Sequence, residues 1–155
     1  MIQTLNDPLI FTTNWNHKLW CDVFSTFRHN SQKYNVGNLK SIIHRRSDGD
    51  HYITDAEIIY NEPCRLDDVN ELFARLDTGY GLEDFKKIIH TMYKNKNVEW
   101  NKPVWCKLLL KCLDPDMLNE KRKQAGIIIN EKSIVVPQAV INHPPKALSE
   151  TGSLF

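Results

Sequence analysis

An Asp-Gly pair, Asp48-Gly49, separates two runs of the chain that are rich in β-branched and aromatic residues. The first run is Leu39–Arg46 and the second is His51–Asn61. Asp-Gly between such runs is among the strongest short signals for a β-hairpin, because both residue types accept the backbone of a tight turn. We therefore predict that the two runs pair as antiparallel strands. Pro63 is predicted to end the second strand, because proline cannot donate a hydrogen bond to a sheet.

Other segments predict further strands and helices around this hairpin. Phe24–Arg28 is β-branched and aromatic enough for a short strand, and Val104–Cys112 alternates apolar with mixed side chains. Helical spacing or a capping signal predicts four helices: Thr13–Cys21, Leu66–Leu76, Leu82–Lys94 and Met117–Gln124.

The order of these elements predicts the fold class. Few strands alternate with helices, so a parallel βαβ sheet is disfavoured. We predict an α+β protein with a small, mostly antiparallel sheet or β-barrel and flanking helices. Residues 1–113 are predicted to form one domain. Residues 114–155 are predicted to form a C-terminal extension with a short helix, a hairpin over 127–136 and a flexible tail.

The overall composition excludes few classes of protein, so a functional site must be predicted from local sequence patterns. The chain has 155 residues and a net charge of +1, so a charge argument must rest on its distribution. Its apolar runs are too short for a membrane span, and the start of the chain lacks a signal-peptide pattern, so a cytoplasmic location is expected. The four cysteines and six histidines lack metal-ligand spacing, so neither a metal nor a cofactor is expected.

The window Val23–Ser47 contains no acidic residue. Folded together, its basic residues would form a cationic groove that attracts phosphate. Aromatic residues interleave with them, and bases of single-stranded RNA stack on such rings. The candidate nucleotide-binding residues in and beside this window are Trp20, Arg28, Lys33, Tyr34, Lys40, Arg45 and Arg46, and Trp20 and Tyr34 are the rings expected to be exposed.

A glycine-rich segment, residues 77–81, joins the two central predicted helices. Its glycines allow close approach of a ligand to the backbone, and its amides precede a helix N-terminus, where anions bind well. Asp77 and Tyr80 are the chemically useful side chains there. We predict that this turn forms one wall of a ligand site.

The order and spacing of several short motifs over residues 11–113 resemble the ASCH domain, a PUA-like β-barrel. The pattern is most similar to that of small bacterial amidohydrolases that remove the acetyl group from acetylcytidine. The quoted motifs are Phe11 before a short helix, Thr26-Phe27-Arg28 for Thr-x-Arg, Gly37-Asn38 for Gly-Asp, the strand Glu57–Asn61, and residues 85–89 of a helix.

The resemblance implies roles for individual residues. Thr26 matches the nucleophile of those amidohydrolases, whereas Val23 occupies the position of their lysine. A threonine needs a base to take its proton. Lys18 or Asp77 could assist Thr26 from elsewhere in the fold.

Three functions remain open from the sequence. The first is a module that binds RNA or a modified nucleotide in a basic cleft. The second is an amidohydrolase acting on a modified nucleoside, with Thr26 as nucleophile. The third is a protein-interaction module that uses residues 114–155. The oligomeric state is left open.

Overall fold

The computed structural model of the chain describes residues 6–127. The chain divides into two compact units, residues 1–121 and 122–155, and the second is described only as far as Ile127. Most of the predicted hairpin over 127–136 and the tail that follows it lie outside the described residues.

Five strands form one mixed sheet in the described part of the chain. They are β1 (Pro8–Phe11), β2 (Val23–His29), β3 (Leu39–Arg46), β4 (Gly49–Cys64) and β5 (Trp105–Cys112). The spatial order is β1-β3-β4-β5-β2. Only the β1–β3 pair is parallel, and the other pairs in this order are antiparallel. The predicted α+β class with a mostly antiparallel sheet is thus confirmed at this level.

The sheet curls into a half-barrel that brings its two edge strands together. The Nη2 atom of Arg28 on β2 donates a hydrogen bond of 2.9 Å to the carbonyl of Ile10 on β1. Nearby, the rings of Phe11 and Phe24 meet edge to face with centroids 5.9 Å apart. Side chains, rather than backbone hydrogen bonds, therefore link β1 to β2.

The central hairpin forms as predicted, with a small shift at each end. Gly49 pairs with Arg46, so Ser47 and Asp48 are the turn, and Gly49 takes a φ of 126° that disfavours other residues. The prediction that Pro63 ends β4 is wrong, because the strand continues to Cys64. Beyond Glu57 the strand β4 pairs with β5 but no longer with β3, and an open side accommodates a proline.

Three α-helices lie in the described residues: α1 (Glu71–Thr78), α2 (Leu82–Met92) and α3 (Pro115–Gln124). The predicted helix start at Leu66 is wrong, because Leu66–Asp68 is a separate 3-10 turn. The side chain of Asn70 accepts a hydrogen bond of 2.8 Å from the backbone of Phe73 and so begins α1. Asp114 caps α3 in the same way, through the backbone N–H of Met117.

The two faces of the sheet support two apolar clusters. Side chains of β5 alternate between them, with Cys106, Leu108 and Leu110 in the first cluster and Trp105 in the second. The first cluster also contains Leu118 of α3. The second contains aromatic residues that pack against α1 and α2, namely Phe27, Phe73, Phe85, Tyr93, Trp100 and Trp105. The second cluster holds α1 and α2 against the sheet.

Candidate functional site

A cleft of about 490 Å³ opens where β1, β2, the end of α1 and the side of α2 meet. Its volume suits a small organic ligand. The residues that line it are Ile10, Phe11, Thr12, Thr13, Trp15, Lys18, Thr26, Phe27, Arg28, Lys33, Tyr34, Asp77, Thr78, Ile88, Ile89, Met92, Tyr93 and Lys96. The structure thus brings together Lys18, Thr26 and Asp77, which the sequence singled out from three separate segments.

A buried polar network lies in this lining. Lys18 Nζ donates a hydrogen bond of 2.9 Å to Asp77 Oδ1, and Ser25 Oγ donates one of 2.9 Å to the same oxygen. The side chains of Lys18 and Asp77 are only 6% and 5% exposed. Burial lowers the pKa of Lys18, and the neighbouring Asp77 carboxylate opposes that shift only in part. A lysine with a lowered pKa in a cleft is a common feature of functional sites.

Arg28 is fixed beside this network by three contacts. Its Nε donates a hydrogen bond of 3.2 Å to Thr26 Oγ1, and its Nη2 binds the Ile10 carbonyl that closes the half-barrel. Its guanidinium carbon lies 4.5 Å from the centroid of the Phe11 ring. Because Thr26 Oγ1 accepts from Arg28, the hydroxyl hydrogen of Thr26 is left for another acceptor.

The cleft lining carries an excess of positive charge. Four of its side chains are cationic, namely Lys18, Arg28, Lys33 and Lys96, and one, Asp77, is anionic. Lys33 and Lys96 are exposed at the surface. Lys96 was not predicted from the sequence, because it lies in a polar loop far from the other candidate residues in the chain. Clustered cations of this kind attract an anionic ligand.

The segment that carries Lys18 has an unusual backbone. The predicted regular helix over 13–21 is wrong: Trp15–Trp20 consists of 3-10 turns interrupted by left-handed Asn16 (φ 56°) and His17 (φ 53°). Asn16 Nδ2 donates weak hydrogen bonds of 3.4 and 3.3 Å to the carbonyls of Arg75 and Leu76 near the end of α1. These bonds hold the segment against the helix that carries Asp77.

Three predicted basic residues lie outside the cleft lining. Lys40 is buried and paired with Asp7. At the hairpin tip, Arg45 Nε lies 2.8 Å from Asp50 Oδ1, and Arg46 Nε lies 3.7 Å from Asp48 Oδ1. The expected single basic cluster is therefore not assembled. The acids that pair with these cations, Asp7, Asp48 and Asp50, lie outside the acid-free window in the sequence, and the fold brings them next to its cations.

The aromatic residues that were predicted to bind a nucleotide lie in different environments in the structure. Tyr34 is buried rather than exposed as expected, although its ring lines the cleft. Trp20 is half-buried and packs against the first apolar cluster. Tyr80 is exposed and lies in a neighbouring groove. Val23, at the position of the family's lysine, is exposed on β2 and does not line the cleft.

No family model, curated protein or solved structure matches the chain. The resemblance to the ASCH domain accordingly stays a prediction. Within residues 6–127, the structure has no group of three or more histidine, cysteine, aspartate or glutamate side chains that could hold a metal ion. Over the same range, no helix is both long enough and apolar enough to cross a bilayer.

Proposed function

We propose that the cleft binds a small, planar, anionic ligand of the nucleotide class, either free or as part of RNA. The observation that carries this proposal is the charge of the lining, in which four cationic side chains face one carboxylate on a chain of net charge +1. A surface of balanced charge would not concentrate cations in one concave site. Phosphate is the group that such a site attracts most strongly.

The remaining lining residues suit the rest of a nucleotide. The half-buried ring of Tyr93 lines the cleft and offers a surface for a base. Within residues 6–127, Arg28 uses two of its five donors in hydrogen bonds to the protein, so its others can bind a phosphate or a base edge. In the described part of the chain, both side-chain hydrogen bonds to the Asp77 carboxylate are made to Oδ1, so Oδ2 can accept a hydrogen bond from an amino group of the ligand.

The test is calorimetric titration of the four ribonucleoside 5′-monophosphates over a series of salt concentrations. We expect binding that weakens as salt rises, because screening reduces the attraction between exposed charges. Lys33→Ala and Lys96→Ala should each weaken binding by up to roughly tenfold, as expected for loss of a charge-assisted contact. Both side chains are exposed, so the variants should fold normally.

Arg45→Ala is the matched control. Arg45 is an exposed, ion-paired cation of the same acid-free window, and it lies outside the cleft lining. We expect its removal to leave the affinity unchanged. Absence of nucleotide binding at low salt, or an equal loss with Arg45→Ala, would contradict the proposal.

A second candidate function is hydrolysis of an amide on a modified nucleoside. It is favoured by the presence of Lys18, with its lowered pKa, in the same cleft as Thr26. In this reaction Lys18 acts through its neutral form, which its lowered pKa makes more accessible. Thr26 Oγ1 forms a bond to the amide carbonyl carbon, and its proton passes to that neutral amine. The carbon–nitrogen bond then breaks, and Lys18 returns the proton to the leaving amine. Water finally hydrolyses the ester on Thr26.

Acetylcytidine is the substrate to test, with the released cytidine separated by chromatography. Thr26→Val removes the hydroxyl at nearly constant volume and should abolish turnover. Thr12→Val is the control, because Thr12 carries an exposed hydroxyl in the same cleft lining and should leave turnover in place. Turnover that survives in Thr26→Val would exclude Thr26 as the nucleophile, and no turnover by the unaltered protein would exclude this hydrolysis.

A further inference from the structure

A second cavity, also of about 490 Å³, adjoins the cleft. It is a surface groove along α2, and its lining residues are Trp15, Tyr80, Asp84, Lys87, Ile88, Thr91 and Met92. Three of these residues, Trp15, Ile88 and Met92, line the cleft as well. The groove and the cleft therefore adjoin at these three side chains.

Two aromatic rings form one end of the groove. Trp15 and Tyr80 meet edge to face, with ring centroids 5.9 Å apart and planes at 77°. Tyr80 is 49% exposed, and Met92 in the same groove is also exposed. An exposed ring can stack on a planar group, and the flexible thioether of methionine adapts to different shapes.

A strained stretch of backbone follows Trp15 at this boundary. Asn16 and His17 take left-handed conformations, which cost energy for residues other than glycine. Such strain is commonly found where a structure holds a ligand clamp in place. Lys18, on the other side of the strained pair, points to Asp77 and the cleft lining. The same short segment thus contributes Trp15 to the lining of both cavities and Lys18 to the lining of the cleft.

We propose that the groove is a second subsite, which stacks the second base of a short single strand whose first nucleotide occupies the cleft. This inference rests on the proposed nucleotide-binding function. The charges that line the two cavities support this assignment of the phosphate to the cleft and of the second base to the groove. The groove is lined by one cation, Lys87, and one anion, Asp84, and so suits an uncharged ring. The surplus of cations lies in the cleft, where a phosphate is favoured.

The experiment compares the four nucleoside 5′-monophosphates with the matching 5′-phosphorylated homodinucleotides by calorimetry. We expect at least one dinucleotide to bind about tenfold tighter than its mononucleotide, as expected for one additional stacked base. Tyr80→Ala should remove this gain and leave mononucleotide affinity unchanged, because Tyr80 does not line the cleft. Tyr80→Phe keeps the ring and should keep the gain.

Tyr60→Ala is the matched control, since Tyr60 is 44% exposed and lines neither the cleft nor the groove. Mononucleotide binding with no gain for any dinucleotide, or a gain that survives in Tyr80→Ala, would overturn the second subsite and leave the proposed function standing. No binding of either kind of ligand would overturn both.

Discussion

Lys18 and Asp77 are 59 positions apart in the chain, yet Lys18 Nζ lies 2.9 Å from Asp77 Oδ1 inside the protein. The pair joins the strained segment before β2 to the end of α1, and Ser25 ties β2 to the same carboxylate oxygen. Its members also line the cleft. One buried contact thus links the stability of the fold to the proposed site.

Breaking this pair from one side should destabilise the protein strongly. Lys18→Met leaves the carboxylate of Asp77 buried without its cationic partner, which costs about 3–5 kcal/mol of the free energy of unfolding. The double variant Lys18→Met/Asp77→Leu removes both charges and should recover much of that loss. Urea unfolding followed by circular dichroism measures both. Arg45→Met, which breaks an exposed pair, should change the stability little. A double variant no more stable than Lys18→Met would contradict this account.

The lowered pKa of Lys18 predicts how stability depends on pH. Burial favours its neutral form, so the folded pKa lies below the ordinary value of 10.5. Between these two pKa values the unfolded chain binds a proton that the folded chain does not, so the free energy of unfolding rises with pH. Lys18→Met lacks this contribution. The stability difference between the unaltered protein and Lys18→Met should therefore grow as the pH rises toward 10.5. A constant difference would show that the pKa is not lowered.

Helix α3 should contribute to the stability of the sheet although it follows β5, the last strand of the described residues. Leu118 is fully buried in the first apolar cluster, whereas Met117 on the same helix is half-buried. Leu118→Ala should cost about 2–5 kcal/mol, the range for deleting a buried leucine side chain. Met117→Ala should cost clearly less. Denaturant unfolding of the full chain measures both, and equal losses would contradict the packing of Leu118 described above.

The cysteines should differ sharply in reactivity. Cys21 is exposed, whereas Cys64, Cys106 and Cys112 are buried. Burial also raises the pKa of Cys64 to about 11 and that of Cys106 to about 12, which disfavours the reactive thiolate. A thiol reagent should therefore label one cysteine rapidly in the folded protein and all four after denaturation. Cys21→Ser should abolish the rapid reaction. Rapid labelling of a second thiol would contradict the burial pattern.

Local patterns predicted most of the elements correctly. Asp48-Gly49 marked the hairpin, alternation marked β5, and apolar spacing marked α2 within two residues of its end. The errors have local physical causes. Asn70 offered a better helix start than Leu66, and side-chain hydrogen bonds broke the expected helix around Asn16. Propensity alone does not weigh such competing hydrogen bonds.

The site was only partly predictable. Thr26, Arg28, Lys33 and Asp77 were chosen from the sequence and do line the cleft, whereas Lys40, Arg45 and Arg46 do not. The acid-free window suggested a cationic patch because it takes account only of charges that are close together along the chain. In the fold, charges interact through space, and three acids outside the window pair with three of its cations.

The sequence by itself determined most of the strands and helices, because hydrophobic period, turn residues and caps act over a few positions. The short edge strand β1 (Pro8–Phe11) was not predicted. Only the tertiary structure decided that β1 and β2 meet through Arg28, that Lys18 reaches Asp77, and that Lys96 joins the cleft. Those contacts depend on how the sheet curls and how α1 and α2 pack against it. Burial and pairing set by that packing, rather than residue type, give Lys18 its lowered pKa and the cleft its charge.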